Sequence, residues 1–286
     1  MRSARNHRNA VVVACCAAAA LLFSAQTAAS AQAPQSPPAQ QPAANQNAKP
    51  VVANPVVNSE EESALKAFLS APASDLEGKI TAGEDFVKKY PQSTYLPTVY
   101  SALTFAYLQA GKPDKAFEIG DKEVQLRPDD VQTLALLSLT MPRAVNAKTL
   151  EPEKQLIKAE GYARRAIEVT PTLVKPEGFT DQKFVFSKNA TLSMAHGGLG
   201  LVYFRRAKFS EAIPELEQSI KIDPNPTPDP ITLYALGISD QKTSHFDAAA
   251  FAFSKCAEIA GNLQAPCKDG AEQAKKQSAT QLSAPK

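Results

Sequence analysis

Histidine is scarce in this chain. Only His7, His196 and His245 occur among 286 residues, and His7 falls in an N-terminal stretch expected to be removed. Neither of the other two has a second histidine, a cysteine or a carboxylate at metal-ligand spacing on its own predicted helix, so no metal centre is expected. His196 reads as a packing residue and His245 as a solvated turn residue. The acidic runs Glu60-Glu61-Glu62 and Asp129-Asp130 read as helix caps or solvated faces, not as a paired acid and base. A Gly-x-Ser-x-Gly elbow is missing, and the stretch HGGLG (196–200) lacks the further glycine and preceding strand of a dinucleotide fingerprint. No segment alternates apolar and polar residues as a strand does. A catalytic site, a cofactor and a β-sheet are therefore not expected.

A large excess of one charge is also absent. The net charge is +2, and three of the positive residues, Arg2, Arg5 and Arg8, stand at the N-terminus. They begin a secretory pattern: a positive region, an uncharged apolar run from Ala10 to Ala25, then small residues ending in Ala29-Ser30-Ala31. Cleavage is expected after Ala31, because the overlapping site Ala31-Gln32-Ala33 would leave Pro34 directly behind the cut. The alternatives are an uncleaved anchor, although the run is short of the ~20 apolar residues of a spanning helix, and, more weakly, a lipoprotein at Cys15. Removing three arginines and no acid takes the charge from +2 to −1. No basic stripe with interleaved aromatics remains, so nucleic acid is not an expected partner. An exported bacterial protein, periplasmic or secreted, is expected. The sequon at Asn189-Ala190-Thr191 is given no weight in such a setting.

Cysteine is sparse as well. Cys15 and Cys16 leave with the signal, and Cys256 and Cys267 remain. An even number in an exported chain reads as one disulfide closing a short loop; two unpaired, partly buried thiols are the alternative. Residues 32–58, QAPQSPPAQQPAANQNAKPVVANPVVN, carry one charge, Lys49, and no aromatic. A segment so poor in burial-worthy side chains is expected to be a disordered linker.

What is present is helical periodicity from residue 59 onward, and it repeats. YSALTFAYLQAGKPDKAFEIGDKEVQLRP (100–128) aligns with HGGLGLVYFRRAKFSEAIPELEQSIKIDP (196–224), and LYALGISDQKTSHFDAAAFAFSKCAEIAG (233–261) follows in the same register. Matching positions are Leu103, Leu199 and Leu236; Thr104, Gly200 and Gly237; Ala116, Ala212 and Ala249. Asp114, Ser210 and Asp247 stand where a cap for the second helix is expected. Here the chain resembles the tetratricopeptide repeat family, whose unit is a 34-residue helix–turn–helix. The interval Pro128–Pro171 holds a looser copy 43 residues long, and the interval Pro171–Pro224, which ends in the 196–224 copy, is 53 residues long. The excess is assigned to loops around 142–153 and 172–190, with Pro142 ending a helix. ESALKAFLSA and SDLEGKITAGEDFVKKYPQS read as a divergent first pair.

The resemblance implies an all-α fold, a right-handed α-solenoid of antiparallel helix pairs. It would span residues 59–268 in about five pairs, clearest over 97–130, 193–226 and 230–261. Residues 269–286 are polar and read as a capping helix fraying into a tail. The resemblance further implies a non-enzymatic scaffold for a protein or peptide partner. Carried onto this chain, the family's concave face falls on Ser101, Phe105 and Gln109; Ala135 and Leu139; Leu201, Phe204 and Arg205; and Tyr234, Ile238 and Gln241. The lysines and asparagine of a carboxylate clamp are not at these positions, so an apolar or amphipathic segment is expected there, with Arg205 and Arg143 at its edge. The competing assignment has Phe105, Leu201 and Phe204 packing against neighbouring helices instead. A membrane-anchored subunit of an envelope assembly is the alternative role.

Overall fold

The computed structural model describes residues 59–72 and 74–283. The expected export signal (1–31) and linker (32–58) lie outside the described residues. Eleven α-helices occur among those residues: α1 (Ser59–Ser70), α2 (Leu76–Lys89), α3 (Leu96–Gln109), α4 (Pro113–Leu126), α5 (Val131–Ala144), α6 (Pro152–Val169), α7 (Asp181–Arg205), α8 (Phe209–Ile222), α9 (Pro230–Lys242), α10 (Phe246–Ala257) and α11 (Gln264–Ser283). Short connections pair α1 with α2, α3 with α4, and so on to α9 with α10, and α11 closes the end. Contacts run from each helix to its neighbours along the chain, which is solenoid packing.

Small residues set the pairing. Ala116, Ala212 and Ala249 are fully buried where the two helices of a pair cross. A Cβ on Gly200 would lie 2.7 Å from the Leu216 side chain, and one on Gly237 would lie 2.8 Å from the Phe253 ring. The glycines of HGGLG are thus contact points between helices. Of these three, Gly198 makes the tightest approach. A side chain there would meet the Ser138 backbone at 2.6 Å. The geometry follows from Pro142, which has no N–H to offer the Ser138 carbonyl four residues earlier. α7 packs against that carbonyl, and only a glycine comes close enough.

Four expectations need correction. Pro142 does not end α5; the helix continues to Ala144 and Pro142 is buried inside it, its carbonyl accepting from Arg205 Nε at 2.9 Å. Asp114, Ser210 and Asp247 are not caps but second residues of α4, α8 and α10, whose caps Lys112, Lys208 and His245 offer no side-chain hydrogen bond. Their place in the first turn still suits the acids to the helix dipole. The extra residues of 172–190 are only partly loop, because α7 starts at Asp181 and runs 25 residues. Thr180 starts it, its hydroxyl accepting from Lys183 N at 3.2 Å. Finally, the capping helix expected at the polar end is present but keeps its helical form to Ser283 and is not wholly solvent-facing: Cys267, Ala271, Ala274 and Ser278 form a buried stripe at helical spacing, and Ser278 donates to Asp247 at 2.6 Å.

Cys256 at the end of α10 and Cys267 in α11 are disulfide-bonded, with Cα atoms 5.7 Å apart. Both are fully buried in a cluster with Leu233, Ala249, Phe253, Ala271 and Ala274. The bond ties the last helix to the stack at the end where stacked repeats otherwise fray.

Candidate partner-binding groove

The first helices of successive pairs, α3, α5 and α7, line one face. Between them lies a cavity of about 720 Å³ reaching from Leu69 on α1 to Thr232 on α9. Its walls are stripes at three- and four-residue spacing: Thr98, Ser101 and Phe105 on α3; Gln132, Leu136, Leu139 and Arg143 on α5; Lys183, Phe186, Ala190 and Met194 on α7. Phe186 is 39% exposed and Leu69 is 42% exposed, so two large apolar side chains of the groove wall face solvent.

The expected groove residues divide. Ser101, Phe105 and Leu139 line it, as does Arg143. Ala135 is buried with Leu134, Ala166 and Ala195 between α5, α6 and α7. Leu201 and Phe204 pack in a cluster with Ala212, Leu216 and Leu236, and the Phe204 ring meets that of Phe209 edge-on. Tyr234 and Ile238 pack against the cluster of Phe253, where the Tyr234 and Phe253 ring centroids lie 5.9 Å apart. Gln241 donates to Gln277 of α11 at 2.7 Å. Gln109 is half-buried at the end of α3, outside the groove wall. Arg205 is exposed and holds the Pro142 carbonyl. The competing assignment therefore describes Leu201 and Phe204 and does not describe Phe105. Leu136, Phe186, Met194 and Ile220 complete the apolar lining, and sequence reading missed them. The signal for Phe186, Ala190 and Met194 was their four-residue spacing upstream of HGGLG, hidden because the loop expected over 172–190 takes in Phe186 and Ala190 and leaves Met194 at the start of the 193–226 copy.

Charge is held at both ends of the groove. Arg127 pairs with Glu123 at 2.9 Å and with Asp130 at 3.3 Å. At the far side Arg143 of α5 reaches Asp229 at 2.7 Å, and the same carboxylate oxygen caps α9 through Thr232 N at 2.8 Å. Arg143 Nε is buried without a hydrogen-bond partner among the described residues. His196 meets Glu215 of α8 at 2.6 Å, away from the groove; His245 is exposed beside Thr243, 3.2 Å away. No group of three or more metal-binding side chains occurs among the described residues, and no described helix is long and apolar enough to cross a membrane.

Two buried acids make stability depend on pH. Burial, helped by the charge of Asp130 and opposed by Arg127, pushes the Glu123 carboxyl up to about 7. Burial and Glu217, opposed by His245, push Asp240 up to about 6. Both groups bind protons more tightly folded than unfolded. Their contribution is complete below the ordinary carboxylate range and is lost as pH rises through about 6 and about 7. The melting temperature is therefore expected to fall by several degrees between pH 5 and pH 8. This follows because each tenfold change in proton affinity is about 1.4 kcal/mol, and each kcal/mol is about 2–4 °C in a domain of this size. Glu123→Gln should flatten the slope. A melting temperature that rises over this interval would contradict the assignment.

No protein-family model and no curated protein matches the sequence. Solved structures do match in fold. PilW, a widely conserved type IV pilus biogenesis factor, superposes with a TM-score of 0.50 at 14% identity, over 78% of this chain and 93% of that one. A thermophilic TPR protein of Thermus thermophilus superposes with a TM-score of 0.46 at 19% identity, over 75% of this chain and 98% of the other. Stacked helix pairs, small residues at the crossings and a concave face of first helices give this chain the tetratricopeptide-type α-solenoid fold.

Proposed function

We propose that this protein is a non-enzymatic interaction scaffold of the bacterial cell envelope, which holds an apolar or amphipathic peptide segment in the groove of α3, α5 and α7. The observation that carries the reading is the groove itself: Phe105, Leu136, Leu139, Phe186 and Met194 converge on one open concavity. Soluble proteins seldom leave such surface exposed without a use for it. The charged groups at its ends are engaged in ion pairs, Arg127 with Glu123 and Asp130 and Arg143 with Asp229, so they frame the groove and leave its apolar floor to bind. Export rests on the N-terminal secretory pattern, and the Cys256–Cys267 disulfide is consistent with an oxidising compartment.

Truncating Phe105, Leu136 and Phe186 to alanine should cut capture of the main partner from an envelope extract at least tenfold, with helical content by circular dichroism retained. Aromatic anchors at the centre of an interface commonly carry more than 2 kcal/mol each. Undiminished capture by the folded triple variant would move the binding surface elsewhere.

A second reading, a membrane-anchored subunit of an envelope assembly, draws on the likeness to PilW, a pilus biogenesis factor. It requires the apolar run of 10–25 to be retained. Carbonate washing of membranes separates the two: a retained anchor stays in the pellet and a scaffold released by cleavage does not.

A further inference from the structure

We propose that the groove is occupied, in the absence of a partner, by the chain's own residues 49–58, KPVVANPVVN. This rests on the reading of the groove as the binding surface and adds its resident ligand.

The first argument is position. Residue 58 directly precedes α1, and the Lys89–Glu60 pair at 3.4 Å sets the start of α1 beside the end of α2. Residues 90–95 then lead straight into the start of α3, whose Thr98 and Ser101 open the groove. Ser101 meets Thr133 of α5 at 3.4 Å, which brings the early turns of α3 and α5 together. From the Gly198–Ser138 contact, Val131 at the start of α5 is level with Thr191 of α7. The turns 181–190 therefore project beyond α5 at this same edge, carrying Phe186. The start of α1, which residues 49–58 precede in the sequence, therefore lies at the groove edge that carries Phe186.

The second argument is length. From α1 to α7 the path crosses three helix spacings of about 8–10 Å each, roughly 30 Å in all. Ten residues in the extended conformation favoured by proline span about 31 Å. The third is chemistry. Val51-Val52 and Val56-Val57, each pair preceded by a proline, present apolar side chains on an extended backbone, and the segment has no acid to oppose Asp130, Asp223 or Asp229. Its single cation, Lys49, would reach the far end, where Asp223 of the groove wall accepts from Asn225 N and Nδ2 at 2.9 and 2.8 Å and has no salt-bridge partner among the described residues. Tethered beside the groove, such a segment competes at an effective concentration in the millimolar range, so even a weak fit keeps the groove filled.

The test uses the full chain and a fluorescein-labelled peptide of residues 47–59. A variant with Val51, Val52, Val56 and Val57 all changed to serine leaves every helix intact, which its melting temperature verifies. The peptide should bind this variant at least tenfold more tightly than the unaltered chain, whose own segment competes. A benzoylphenylalanine photocrosslinker at position 186 should join residues 49–58 of the same chain in dilute protein and lose that product in the serine variant. Equal peptide affinity for both proteins, no binding to either, or a crosslink to a second copy overturns the proposal. The scaffold reading fails separately, on partner capture by the groove variant.

Discussion

Gly198→Ala is expected to lower the melting temperature by roughly 6–12 °C, the effect of about 3 kcal/mol of overpacking in a domain of this size. The added methyl would lie 2.6 Å from the Ser138 carbonyl carbon and oxygen, and backbone cannot swing aside as a side-chain tip can. Relief requires α7 to move off α5, which opens the groove wall they share. The same substitution at Gly161 should act in the opposite sense. Nothing lies within 4 Å of a Cβ there, and the position is exposed within α6. Exchanging glycine for alanine inside a helix stabilises by up to about 1 kcal/mol, a rise of about 2–4 °C. Thermal melts of the two variants provide the check. A tolerated Gly198→Ala would mean that α5 and α7 do not meet at Ser138.

Phe253→Ala is the second large effect, a loss of about 3–5 kcal/mol, and it should be local. Phe253 is fully buried, with Gly237 and Gly270 against its ring and Tyr234 edge-on to it. It joins α9, α10 and α11 in one contact. Stacked repeats lose order unit by unit, because each contacts only its neighbours. Hydrogen exchange should therefore show protection lost across 230–283 while α1 to α6 keep theirs. Protection lost evenly along the whole chain would show a single cooperative unit instead.

These positions indicate what could be read before the structure. Gly200, Gly237 and the three alanines were legible because close helix packing demands small residues at a fixed spacing. The groove on α3 and α5 was legible in part: the repeat register placed Ser101, Phe105 and Leu139 on it. It failed from α7 onward. Residues 181–190 begin α7, but their apolar residues Phe184, Val185 and Phe186 are consecutive and mask the four-residue spacing that Phe186 shares with Ala190 and Met194, so they read as an insertion. Leu201, Phe204 and Tyr234 sit at groove positions of the repeat yet are packed, because α8, α9 and α10 close over the later turns. Pro142 misled for another reason. A proline ordinarily stops a helix, but here the carbonyl it leaves free is covered by Gly198, a residue sixty positions away.

The Arg143–Asp229 pair gives the molecule a mechanical property. A coil whose turns touch only their neighbours stretches like a soft spring, each turn yielding a little. This pair is a strut: it ties the last turn of α5 to the cap of α9 and bypasses the intervening α6, α7 and α8. Lengthening the superhelix must part it, so pitch and groove width are held together up to that point and change together beyond it. Most of each side chain is withdrawn from water, so salt screens this strut far less than it would an exposed pair, and the stiffness of this half of the coil belongs to the fold more than to the surrounding electrolyte.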